Sequence, residues 1–391
     1  MPSTMQATTQ PFDRPSTLPS LTGLRWIAAF TVFAYHVRNL GLVDGRSQTL
    51  LTATMGAGAT GVSLFFILSG FILGWGHQSG TRATTFWWRR LARIYPLHFI
   101  AVIAAVLLAR LLVPSIATAS PKALLANFFL ISDWHGPWWQ TGNPVSWSLV
   151  CEAFFYLAFP LVISIATRTS TAGLWIAAAV SVLLSFGMPI LLSSLPGGLS
   201  SASWPPARLP EFIIGVLVAC LLRRGAWRGP GVLMSALLAA AGFAAADRYT
   251  SSPFALVGFT VVGFTLLIAA LARADVTGRA TVLASPPLIA LGERSFAFYL
   301  VHLLVIDAIA ALVPPDPARP AVIGFALAVL ALNAALAIAS ILHPTVEKPA
   351  RRWLVALPAR LSTPSRRISM TDRPAPAFDR ARTDEVTPPA P

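Results

Sequence analysis

The chain has 391 residues, 55% of them hydrophobic and 11% charged, with a net charge of +14 and a mean hydropathy of +0.68. That is about half the charge of an ordinary water-soluble domain and more apolar surface than one core can hide, so the composition belongs in lipid. The basic residues sit mainly in short loops between apolar runs and form no basic face interleaved with aromatics, which argues against a nucleic-acid partner. Cys151 and Cys220 both lie in apolar runs and support neither a disulfide framework nor a metal site.

Ten apolar runs are long enough to cross a hydrocarbon core of roughly 30 Å: 20–40, 58–76, 94–113, 146–167, 173–193, 208–222, 231–246, 254–272, 287–311 and 319–343. A shorter run, 122–131, reads as interfacial or re-entrant. The expected fold is therefore all-α: a polytopic membrane protein of about ten transmembrane helices plus one short helix. The first run has neither the charged lead-in nor the small-residue cleavage site of a signal peptide and reads as a retained helix. Residues 1–19 and 356–391, rich in Pro, Thr, Ser and charge, are expected to be disordered tails around a transmembrane domain at 20–355.

Orientation follows from the positive-inside bias. With a cytoplasmic N-terminus, the inside receives Arg82, Arg89, Arg90, Arg93, Arg168, Arg223, Arg224, Arg228, Arg273, Arg279, Lys348, Arg351, Arg352 and the tail arginines. The outside receives Arg38, Arg46, Arg110, Lys122, Arg208, Arg248 and Arg319, seven of the 29 basic residues. Both termini are then cytoplasmic and the chain is a multi-pass protein of the plasma (inner) membrane.

Four ionisable residues, Arg25, His36, Arg93 and Glu152, fall inside or at the mouth of these runs, where charge is costly and marks function. Arg25 and His36, eleven residues apart on the first helix, share a face to within roughly 20° and are about 16 Å apart along the axis. Arg89, Arg90 and Arg93 gather at the cytoplasmic start of the third run, an anion-binding constellation beside Pro96, which is placed early in its helix at no cost in backbone bonds. Glu152, counted from the outer surface, lies about 9 Å deep, level with His36, so the two can meet. Each also has a plainer reading: Arg89, Arg90 and Arg93 as topology anchors, Arg25 as a snorkelling side chain, His36 as a bundle histidine. Glu152 has no cheap structural excuse, and His302 in the ninth run reads as a structural residue, or one that supports the site or binds substrate, rather than a catalytic one. Ser63, Ser69 and Ser148 read as interhelical hydrogen-bonding groups.

Six ordered segments, LTGLRWIAAFTVFAYH, GVSLFFILSGFIL, FWWRRLARIYP, WSLVCEAFFYLAFP, RLPEFIIGVLVA and FYLVHLLV, followed by VEKPARRW, resemble the acyltransferase 3 family of integral-membrane acyltransferases of glycans and antibiotics. The resemblance runs from Leu21 to Trp353. It implies that His36 is the essential histidine, that Arg25 and Arg93 are functional arginines, and that Glu152 is the carboxylate of the WSL segment. The chain departs from the family pattern at Thr22, where Asp is common, at Trp26, where a small residue is usual, and at Ser63, where an acidic residue is frequent.

The chemistry expected from this arrangement is acyl transfer from cytosolic acyl-CoA, with no permanently bound cofactor. The arginines would hold the phosphates of the donor, His36 would act as general base on an acceptor hydroxyl of a glycan or macrolide-type molecule, and Glu152 would fix the tautomer of His36. An acyl-enzyme at Ser69, Ser148 or Cys151 lacks an adjacent activating base. The alternative is a secondary transporter of a small anionic substrate, against which stands the absence of an internal repeat.

Overall fold

In the computed structural model, residues 15, 17–39, 54–118, 120–194, 200–313, 316 and 319–362 are described. Among them the secondary structure is helical, with no strand: α1 (Pro19–Asn39), α2 (Gly61–Trp75), α3 (Ala83–Leu111), the short α4 (Pro121–Phe128), α5 (Trp147–Arg168), α6 (Thr171–Ser193), α7 (Pro205–Arg223), α8 (Val232–Arg248), α9 (Gly258–Val276), α10 (Pro286–Leu312), α11 (Ala321–Leu342) and α12 (Lys348–Ser362). All ten long runs form helices. Among the described residues eight helical stretches are by length and composition able to cross a membrane; α1 is not one of them, nor is α8, which has 17 residues. Most of the expected tails, residues 1–14 and 363–391, lies outside the described residues. By internal contacts the chain divides into a unit ending at Val355 and a second beginning at Ala356, of which only the end of α12 is described.

Lipid gives helices no hydrophobic reason to associate, so they pack through close approach and polar contacts. The α2–α7 pair is the tightest: Gly70 faces the carbonyl of Phe212 and Gly215 that of Ile67, so a Cβ on either glycine would collide with backbone. Gly292 of α10 meets the carbonyl of Thr22 in the same way and draws α10 onto α1. Between α5 and α7 the rings of Phe155 and Phe212 stack at 5.1 Å. The outward faces of α6 and α11 are exposed and apolar, as lipid-facing surfaces are.

The arginine-rich connections gather at one end of this bundle. Arg223 donates to the carbonyl of Gly74 at 2.7 Å, Arg224 to that of Thr169 at 2.7 Å, and Trp75 Nε1 to that of Pro15 at 3.4 Å. Ser20 Oγ at the start of α1 donates to Asp275 at the end of α9 at 2.5 Å.

Two local expectations change. The third helix starts at Ala83, eleven residues before its apolar run, because Trp87 and Trp88 extend it along the bundle, donating from their indoles to the carbonyls of Tyr156 (3.0 Å) and Leu354 (2.6 Å). Pro96 therefore lies in the helix interior rather than in its first turn and removes a backbone bond, a loss that membrane helices tolerate when neighbours re-satisfy the freed groups. Arg208, counted as an outer loop charge, is instead fully buried.

Candidate active site

Two adjoining cavities lie among α1, α2, α3, α5 and α10. The larger, about 620 Å³, is bounded by the loop after α2, the start of α3 and the end of α5, and is lined by Arg89, Arg90, Arg93 and Arg168 with Ser79, Ser164 and Thr167. The smaller, about 290 Å³, is lined by Arg25, Arg90, Arg93 and Glu152 together with Phe65, Ser148 and Tyr299. Ile72, Leu73, Arg90 and Arg93 line both. The result is one path, polar and cationic where it is wide and mainly apolar where it narrows.

Helical geometry explains which arginines enter. Arg90 and Arg93 are three residues apart and share a face of α3, so both reach the inner cavity; Arg89 is turned about 100° away, is exposed, and lines only the outer one. The Arg90 guanidinium lies over the Phe86 ring at 5.8 Å, a cation–π contact that holds it at the junction. His77, in the loop beside the outer cavity, is held below the ordinary histidine range by burial and by the charge of Arg223. The cationic character of the mouth comes chiefly from its arginines.

Glu152 accepts a hydrogen bond from the Tyr156 hydroxyl at 2.8 Å and stands in the electrostatic field of Arg93, Arg25 and Arg90. It is the acidic side chain that lines the inner cavity with those three arginines. Glu347, in the π-helical turn His343–Glu347 that links α11 to α12, adds a second negative charge within the reach of Arg25 and binds His343 Nδ1 at 2.9 Å. That the turn is π-helical fits the tendency of such turns to occur at functional sites.

The structure does not bring Glu152 to His36. Among the described residues no hydrogen bond or ion pair joins them, and Glu152 shares a cavity with Arg25, about 16 Å below His36 on α1. The reason is the entry to α5. Its leading turn, Pro144–Ser146, is already inside the protein: Asn143, Val145 and Ser146 are buried, and Asn143 Nδ2 donates to the carbonyl of Leu300 at 2.8 Å. Depth counted from an assumed surface therefore places Glu152 too far out. The ring of His36 instead meets that of His302, centroid to centroid 5.3 Å, and His36 lines neither cavity. His302 in turn meets Tyr299, which lines the inner cavity, at 5.7 Å.

Sequence reasoning missed one buried charge pair. Arg208 donates from Nε and Nη2 to Glu211 at 2.5 and 3.2 Å, from Nη2 to Ser63 Oγ at 2.9 Å and from Nη1 to the carbonyl of Ala202 at 2.6 Å, and its guanidinium stands 4.9 Å from the Phe66 ring centroid. An Arg and a Glu three apart in an otherwise apolar run was the available signal, since such spacing lets them pair on one helix face. Ser63 Oγ, which accepts from Arg208, donates in turn to the carbonyl of Leu256 at 3.0 Å. Among the described residues no hydrogen bond joins Ser148 or Cys151 to a histidine, carboxylate or lysine side chain. Ser148 Oγ bonds the carbonyl of Val145 (3.1 Å) and the Tyr299 hydroxyl (2.9 Å), and Cys151 Sγ the carbonyl of Ser203 (3.3 Å).

Comparison with known proteins agrees with the reading of the segments. A family model described as an acyltransferase domain matches residues 18–342. The chain belongs to the acyltransferase 3 family. It is similar to acyltransferase MdmB of Streptomyces mycarofaciens, with 38% identity covering 93% of this chain and 97% of that protein. It is also similar to the O-acetyltransferase OatA of Staphylococcus aureus (strain NCTC 8325 / PS 47), with 25% identity over 75% of this chain and 51% of that protein. The peptidoglycan O-acetyltransferase OatA of Listeria monocytogenes is 28% identical over 37% of this chain and 24% of its own length. No solved structure matches. Membership decides between the two classes left open by the sequence in favour of group transfer over transport, and with the apolar helices it makes the chain a multi-pass membrane acyltransferase.

Proposed function

We propose that this protein moves an acyl group from acyl-CoA, entering from the cytoplasmic side, to a hydroxyl of a glycan or macrolide-type acceptor. The observation that carries the reading is the continuity of the two cavities through Arg90 and Arg93. A CoA nucleotide is polyanionic and bulky and suits the wide arginine-lined part; guanidinium groups bind phosphate through charge-assisted, bidentate hydrogen bonds. The pantetheine arm is slim and only moderately polar and suits the narrow part, which carries its thioester past Glu152 towards Ser148 and Tyr299. Phe65 and Tyr299, whose rings meet edge-on with centroids 5.9 Å apart, lie between this part of the path and the histidines, and their movement would admit the acyl group to His36.

His36 is the general base. It takes the proton of the acceptor hydroxyl as the oxygen attacks the thioester carbon; the C–O bond forms, the C–S bond breaks, and the proton passes to the departing thiolate. General-base assistance of this kind contributes about 10² to 10⁴-fold. Glu152, tied to Tyr156, neutralises the inner arginines and keeps Arg25 directed into the path. The relatives named as O-acetyltransferases support a hydroxyl as acceptor. The clustering of arginine-rich connections at the end where Pro15 meets Trp75 supports cytoplasmic termini.

The test is Arg93→Lys in the purified full-length chain, with release of CoA from acetyl-CoA measured against a panel of macrolides and glycans. Lysine keeps the charge and the topology but not the bidentate contact, so the KM for acetyl-CoA should rise about tenfold or more, and N-acetylcysteamine thioesters, which lack the nucleotide, should be poor donors for both proteins. Unchanged kinetics, or equal use of the short thioester by the wild type, refutes the donor path.

A further inference from the structure

The reading of His36 as general base leaves it without the carboxylate that was expected to orient it, and the structure offers another group for that task. His302 is completely buried. Its Nδ1 lies 2.7 Å from the carbonyl oxygen of Tyr299, one turn earlier on α10. A carbonyl can only accept, so Nδ1 carries the hydrogen and Nε2 of the neutral ring carries a bare lone pair. That Nε2 is buried and has no hydrogen-bond partner among the described residues, a costly state for a polar atom in an apolar setting.

The ring cannot easily turn to relieve it. Phe298 stacks on one face at 5.8 Å and 16°, and Phe33 stands edge-on at 6.3 Å and 63°. Besides these rings and that of Tyr299, at 5.7 Å, it meets His36, at 5.3 Å and 46°. Two imidazoles bonded nitrogen to nitrogen have centroids about 5 Å apart, a ~3 Å bond plus the two ring radii, so the spacing is already that of a bonded pair and a ring rotation of His36 completes it.

We propose that His302 is the positioning residue of the acyl-transfer site: its Nε2 accepts the ring N–H of His36, which presents the other His36 nitrogen, with its lone pair, to the acceptor hydroxyl. This inference rests on His36 being the base. The chain of contacts Tyr299 carbonyl, His302, His36 does for the tautomer what a carboxylate does in other histidine bases: it fixes which nitrogen is free and stabilises the imidazolium formed when the hydroxyl proton arrives. No proton leaves the pair during the cycle; the one taken from the hydroxyl leaves from the same His36 nitrogen to the CoA sulfur. Glu152 is released from the role and belongs to the arginine cluster.

The test compares His302→Gln with His302→Asn in the full-length, detergent-solubilised protein. Glutamine can place an acceptor near the position of Nε2; asparagine can keep the bond to the Tyr299 carbonyl but has no atom facing His36. The first readout is the rate at which diethyl pyrocarbonate modifies His36, resolved by peptide mass spectrometry, because this reagent reports the nucleophilicity of the free nitrogen. His302→Asn should slow it about tenfold, as expected for loss of a hydrogen bond that strengthens with charge, and His302→Gln should restore most of it. In the acetyl-CoA assay kcat should fall in the same order, with KM for acetyl-CoA unchanged because the donor is held about 16 Å away on the helix. Equal rates of His36 modification in both variants and wild type, or equal slowing in both variants, overturns the proposal. His36→Ala separates the two levels: if it retains CoA release, the general-base reading fails whatever His302 does; if it is inactive while His302→Asn is normal, only the present inference fails.

Discussion

The Arg208–Glu211 pair permits a quantitative test of how the wall of the inner cavity is held. Arg208 makes four hydrogen bonds, two to Glu211, one to Ser63 and one to the carbonyl of Ala202, and both charged side chains are buried. Phe66, over which the guanidinium lies, lines the inner cavity. Removing one member of such a pair leaves an uncompensated buried charge, which costs about 3–5 kcal/mol, whereas replacing both by apolar side chains of similar volume is close to neutral. Glu211→Leu and Arg208→Met should each lower the midpoint of thermal unfolding by about 10 °C, taking 2–4 °C per kcal/mol, and the double variant should recover most of the loss. Cys151 and Cys220 are free and buried, so a thiol-reactive dye in detergent reports unfolding without a further label. A double variant whose loss equals the sum of the two single losses would show that Arg208 and Glu211 do not act as a pair and would refute the reasoning.

Three further outcomes are expected. Glu152→Gln removes the counter-charge of Arg25, Arg90 and Arg93; turnover should fall by about 10²-fold or more while acetyl-CoA affinity, measured by equilibrium binding, is retained or tightened. Phe65→Ala opens the contact with Tyr299, so the variant should accept longer acyl-CoA chains than the wild type in the CoA-release assay, and an unchanged chain-length profile would place the constriction elsewhere. Burial pushes the Asp133 carboxyl, in the connection between α4 and α5, up to about 6 against the opposing effect of the Ser132 and Ser203 hydroxyls. Its folded-state pKa then exceeds the unfolded value of 3.8, the folded state binds more protons between the two, and stability should fall as pH rises from about 4 to 6, by about 3 kcal/mol at most. Asp133→Asn should flatten that slope in thermal unfolding measured across this pH range.

The sequence alone determined the solvent and the helices, and it singled out charged residues that the fold brings together. Lipid leaves the backbone only its own hydrogen bonds, so each long apolar run had to be a helix, and charge in such runs is rare enough to single out Arg25, Arg93 and Glu152, which share one cavity. Spacing within one helix was equally legible: Arg90 and Arg93 lie three apart and share a face. Relations between helices were not, because depth along one helix says nothing of another whose start lies inside the protein. Glu152 was matched to His36 by counting from a surface that α5 does not start at, since the turn at Pro144–Ser146 is buried against α10. Arg208 was read as a loop charge although its partner stood three residues on. His302 met His36 only because Gly292 lets α10 lie against α1 at Thr22. Local propensity and the dielectric of the bilayer act residue by residue and can be read from the chain; which side chains meet is set by helix ends, tilts and glycine contacts that arise only when the bundle is assembled.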